Sequence, residues 1–126
     1  MIKMGENITA LAFLGDAVYE LCIREKLIQK GIFKPNTLKK ESIKYVSAEA
    51  QNKIFLNLNS NNFFTEEEME ITKRGRNAKV KHRIKGDVIA YHNATGFEAL
   101  FGYLYLKGDK KRIEEIIDII IGGSND

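Results

Sequence analysis

Apolar residues recur at helical spacing almost from end to end of this chain, and that periodicity constrains its fold more than any other feature. Ile8, Leu11, Leu14, Val18, Leu21 and Ile28 follow one another at intervals of three, four or seven residues, which predicts a first helix from about residue 9 to residue 29. In its middle lies LAFLGDAVYEL, residues 11–21, with Gly15 and Asp16 side by side. Glycine costs roughly 1 kcal/mol against alanine inside a helix, and aspartate competes for backbone groups there. A carboxylate on so apolar a helix also risks burial without a partner. Those two residues need a reason.

The rest of the chain reads as further helices. Gly31 ends the first and FKPN makes the turn. Thr37 is expected to cap a short helix to about Tyr45, and Ser47 to cap a third through Leu58. NSNN at 59–62 reads as a loop. Thr65 and Glu68 make a T-x-x-E capping box for a fourth helix, and Glu66, Glu67 and Glu68 suit its positive end. The apolar pattern fades near Gly75, so residues 78–86 are expected to be loop. From about Asp87 it returns. Phe97, Leu100, Phe101 and Leu104 share one stripe closed by Gly108, and Asp109 caps a last helix ending at Gly122 and Gly123. Alternating strand patterns and internal repeats are absent, so the predicted class is all-α. With 126 residues, 44% of them hydrophobic, and one proline, residues 1–126 fit a single domain. No apolar run is long enough for a membrane span, and MIKMGENITA lacks the build of a secretory signal. The single Cys22 excludes an intramolecular disulfide and suits a reducing cytoplasm.

Glu98 is the second anomaly, one residue past the apolar stripe in a helix of apolar, small and aromatic residues. Two apolar helices, far apart in sequence, thus carry one carboxylate each. Gly15 beside the first and Gly102 one turn beyond the second would let backbones or a ligand approach closely. Two carboxylates brought together repel unless one is protonated or a cation bridges them. Mg²⁺, a hard oxygen-liganded ion that keeps several waters, would remove the repulsion. Spacing alone leaves a plainer alternative, with Asp16 paired to a nearby cation and Glu98 in solvent.

Residues 73–85, KRGRNAKVKHRIK, then favour chemistry. Lys73, Arg74, Arg76, Lys79, Lys81, Arg83 and Lys85 are seven cations without one acid, in a chain whose net charge is only +3. Such density marks a polyanion site. The two arginines flanking Gly75, with Asn77, can donate hydrogen bonds to phosphates. No apolar face accompanies the run, so nucleic acid is a better partner than a membrane surface. His82 and His92 lack partners at zinc-ligand spacing, and Cys22 between Leu21 and Ile23 reads as packed rather than nucleophilic. Tyr103 and Tyr105 suit the core or an interface.

Together these stretches resemble the ribonuclease III family. LAFLGDAVYEL resembles the signature helix of its catalytic domain and FEALFGYLYL its second acidic motif. The order of YVSAEAQ, EEEMEITKRGRNAK and TGFEALFGYLYL is most similar to the Mini-III ribonucleases, over about residues 11–117. The resemblance implies an all-helical, homodimeric endonuclease domain without a separate RNA-binding domain. It implies Mg²⁺-dependent cleavage of double-stranded RNA in the maturation of large-subunit ribosomal RNA, leaving 5′-phosphate and 3′-hydroxyl ends. Asp16 matches the family's signature aspartate and Glu98 its metal-binding glutamate. Longer members have two further acids, where this chain has Ala12 and Thr95. Mini-III enzymes share that reduction, which bears on whether one metal or two is held. Glu20 is open to an outer contact with the site or to an i,i+4 pair with Arg24. The alternative reading is a catalytically silent domain that binds structured RNA; a plain helical interaction protein with a basic loop is a third.

Overall fold

The centre of the molecule is set by a helix that is apolar or small over most of its surface. The computed structural model describes residues 7–122, and among these α5 (Val88–Lys107) buries Ala90, Asn93, Ala94, Gly96, Phe97, Ala99, Leu100, Phe101, Gly102 and Leu104. A helix so largely apolar must be covered on most sides. It is enclosed by α1 (Ile8–Gln29), α3 (Ala48–Ser60), α4 (Glu66–Arg76) and α6 (Lys110–Ile117), while α2 (Pro35–Val46) packs on α1 and α3. A π-helical turn, Asp118–Gly122, follows α6; Gly123 lies outside the described residues. No strand occurs among the described residues, and the fold class is all-α.

Most helix ends follow local chemistry. The Ser47 side chain accepts from the Ala50 amide, Thr65 and Glu68 close the capping box, and Asp87 and Asp109 cap α5 and α6. Gly108 ends α5 at a left-handed φ of 85°. Two details differ from the sequence reading. Thr37 does not cap α2, because Pro35 occupies the first turn, where its missing N–H costs nothing, and starts the helix earlier. The buried face of α1 runs through Leu11, Gly15, Val18, Tyr19, Ile23 and Leu27, leaving Leu21 65% exposed and Ile28 half exposed. Leu21 and Ile28 fit the helical period, but the pairing with α5 selects a neighbouring stripe.

Tyr19 anchors that pairing. Its ring meets Phe97 and Phe101 edge-on, at 5.6 and 5.0 Å between centroids, and its hydroxyl donates to the Tyr45 carbonyl at 2.8 Å. Such aromatic pairs add about 0.5–1.5 kcal/mol beyond the area they bury. Glu68 does more than cap: Arg112 on α6 grips both its oxygens, at 2.7 and 2.8 Å, and also donates to the Phe63 carbonyl at 3.1 Å. This bidentate pair ties the start of α4 to α6.

Candidate active site

Gly15 is explained by the crossing of α1 over α5. A Cβ at Gly15 would collide with the Glu98 carbonyl oxygen and stand 2.7 Å from the Gly102 amide nitrogen, while one at Gly102 would strike the Leu11 carbonyl. The two glycines notch the helices into each other, so that clearance serves packing. The same notch carries the next residue, Asp16, to Glu98. A similar crossing of Gly75 with Gly96, where a Cβ on Gly75 would lie 2.8 Å from the Gly96 Cα, seats α4 on the other side of α5.

The two carboxyls are within hydrogen-bonding reach of each other. Burial foremost, and then the charge of Asp16, push the Glu98 carboxyl up to about 8, against an opposing hydrogen bond from Gln51. Near neutral pH the metal-free pair therefore favours sharing one proton over carrying two charges. Both side chains line an open cavity of about 290 Å³, with Thr9, Ala12, Phe13, Thr95, Tyr91 and His92. Lys79, Lys81 and His82 complete its wall, so part of the basic run faces the acids.

The donor set suits a hard, oxygen-liganded cation. Among the described residues no group of three or more His, Cys, Asp or Glu is placed to hold an ion. Two adjacent carboxylates suit a hard cation that keeps most of its water shell, as Mg²⁺ does, and a divalent charge would replace the shared proton. Ala12 and Thr95 line the cavity beside them and offer no further carboxylate.

The basic run divides. Lys73, Arg74 and Arg76 belong to the last turns of α4, and Asn77 is its C-cap. Lys73 and Arg76 line a different groove, with Phe64 and Met69, and Arg74 pairs with Glu70 at 2.9 Å. Residues 78–86 form no helix; there Lys79 and Lys81 turn to the acid cavity, and Arg83 and Lys85 are exposed. Glu20 pairs with Arg24 at 2.7 Å, the plainer of its two roles. Cys22 is half-buried and its thiol is raised by that burial, against thiolate chemistry. Tyr103 bonds Glu67 at the surface, and Tyr105 is exposed.

One residue escaped the sequence reading. Gln51, in the first turns of α3, is fully buried, and its Nε2 donates to the Val46 carbonyl at 3.1 Å and to Glu98 Oε2 at 3.2 Å. Its signals were its place at the end of YVSAEAQ and an amide in an otherwise apolar position, three residues before Ile54 and four before Phe55.

Comparison with known proteins agrees with this architecture. Residues 9–109 match the Ribonuclease III domain family. The chain is 52% identical over 112 residues to Mini-ribonuclease 3 of Brevibacillus brevis, covering 88% of this chain and 82% of that one. It is 41% identical to Mini-ribonuclease 3 of Staphylococcus aureus, over 95% of this chain and 90% of that one. A crystal structure of a protein from Fusobacterium nucleatum superposes with a TM-score of 0.80 at 36% identity, covering 90% of this chain and 92% of that one. The protein belongs to the ribonuclease III family, in its Mini-III branch, and is an endoribonuclease.

Proposed function

We propose that this chain, acting as a single catalytic domain over residues 1–126, is a Mg²⁺-dependent endonuclease of double-stranded ribosomal precursor RNA, with Asp16 and Glu98 as its catalytic and metal-holding residues. The ribonuclease III family acts on double-stranded RNA and generally depends on a divalent metal. The observation that carries the reading is the Asp16–Glu98 pair, facing a cavity whose other wall bears Lys79 and Lys81. Bound there, Mg²⁺ would supply an activated water for in-line attack on a phosphodiester and charge for the departing 3′-oxygen. Asp16 and Glu98 would hold the ion through their carboxylate oxygens. Lys79 and Lys81 hold the flanking phosphates, and Lys73, Arg74, Arg76, Asn77, Arg83 and Lys85 extend the contact along the duplex. A-form RNA hides its base edges in a deep groove, so grip falls on phosphates and 2′-hydroxyls.

The working form is a homodimer. Phe13, on the exposed side of α1 at the cavity edge, is 85% exposed. An aromatic ring beside a catalytic cavity is best covered by a second copy, and two-fold pairing puts one site on each strand of a duplex. No helix among the described residues is long and apolar enough to cross a membrane, and ribosomal precursors place the work in the cytoplasm. Incubation of large-subunit precursor RNA with the protein and Mg²⁺, followed by mapping of the ends, tests the reading. Paired cuts with 5′-phosphates in one duplex region support it. RNA that is bound but left intact at every Mg²⁺ concentration would instead favour the silent binding module. Light scattering of the same sample should give twice the monomer mass.

A further inference from the structure

We infer that Gln51 is the positioning residue for Glu98, holding its carboxylate in the orientation that receives the metal. This rests on the proposed metal role of Asp16 and Glu98. Its amide spans three helices: it sits on α3, reaches the last residue of α2 through the Val46 carbonyl, and meets Glu98 of α5. Both neighbours are acceptors, so both N–H bonds must point outward and the amide has one permitted orientation. The cost is visible: Gln51 Oε1 is buried with no hydrogen-bond partner among the described residues. A stranded acceptor of that kind costs about 1–3 kcal/mol. An apolar side chain would avoid the penalty if packing were the only need. Instead the site keeps a donor aimed at Glu98 Oε2, which restricts that side chain and leaves its other oxygen for Asp16 and the cavity. Groups that orient metal-holding side chains typically govern metal affinity by about 10–100-fold.

The test is calorimetric titration of Mg²⁺ into the wild type, Gln51→Met and Glu98→Gln, with cleavage rates measured against Mg²⁺ concentration. Methionine keeps the volume and removes the donor. Gln51→Met should weaken Mg²⁺ binding about tenfold, with most of kcat recovered at saturating Mg²⁺ and RNA affinity in chelator unchanged. Wild-type Mg²⁺ affinity in Gln51→Met, with Mg²⁺ binding abolished in Glu98→Gln, would overturn this inference and leave the metal site standing. Undiminished Mg²⁺ binding in Glu98→Gln would overturn both. Should Gln51→Met fail to fold, the wild-type side-chain amide resonances of Gln51 decide. They should shift on addition of Mg²⁺; immobility while the Glu98 backbone amide shifts would overturn the inference.

Discussion

Where α1 crosses α5, Gly15 and Gly102 bring two backbones together with no side chain between them, and the chemistry hangs on that contact. Residues 78–86, across the same cavity, have no helix and keep Lys79, Lys81, Arg83 and Lys85 exposed. One wall is fixed by packing that admits not even a methyl group; the other is non-helical and presents its cations to solvent. Placing two like charges side by side needs the first kind of wall, because the pair must be held against its own repulsion. Gripping a duplex by its phosphates is served by the second, since neutralising phosphates with exposed cations releases counterions whatever the base sequence.

The sharpest break in this contrast comes from the rigid wall. Asp16→Asn or Glu98→Gln should abolish cleavage in a Mg²⁺ assay while circular dichroism and RNA binding stay near wild type, because both replacements preserve shape. Next, Gly15→Ala should destabilise the protein by about 3 kcal/mol or more, since backbone and not a flexible side chain occupies the space. Its thermal midpoint measures this, and any folded fraction should cleave poorly because Asp16 has been pushed from Glu98. A Gly15→Ala protein of wild-type stability would mean that α1 and α5 can slide apart freely.

The basic wall should respond by degrees. Replacing Arg74, Arg76, Lys79 and Lys81 by alanine should weaken duplex RNA binding and flatten its salt dependence, by about 0.7–0.9 in log–log slope for each phosphate no longer neutralised. Lys79 and Lys81 line the acid cavity, whereas Arg74 is tied to Glu70, so the two lysines should account for most of the change. Helix content should stay the same. Equal weakening by Lys79→Ala/Lys81→Ala and by Arg74→Ala/Arg76→Ala would show that the run acts as diffuse charge and not through the cavity.

Stability against pH tests the acid pair without metal or RNA. The folded Glu98 carboxyl is raised from 4.5 to about 8, so the folded state holds a proton that the unfolded chain releases earlier. That stabilisation is complete below the unfolded value and is lost as pH rises through the folded one. Metal-free wild type should therefore lose thermal stability relative to Glu98→Gln as pH climbs from about 5 to about 9. Parallel curves would mean that Glu98 titrates normally.

What the sequence disclosed divides along similar lines. Ser47, Thr65 and Asp109 were legible as caps because a cap depends on residues three positions away. Thr37 misled because Pro35, two residues earlier, was the stronger start signal. Leu21 and Ile28 kept the helical period yet stand exposed, because periodicity gives a stripe and not the partner that covers it. The approach of Asp16 to Glu98 could be read from family resemblance, while spacing alone left both as ordinary surface acids. Gln51 stood in the YVSAEAQ stretch, but its role was not legible, since a glutamine declares its purpose only when the carbonyl and carboxylate it serves arrive from two other helices.

The most direct test of the rigid wall is the proton count on Mg²⁺ binding, measured by calorimetry near pH 7 in buffers of different ionisation enthalpy. Burial and the neighbouring Asp16 charge raise the Glu98 carboxyl, so Mg²⁺ binding between the two acids should release a proton near pH 7, with the release declining as pH rises and absent in Glu98→Gln. Mg²⁺ binding to Glu98→Gln with the wild-type affinity and proton release would contradict the site.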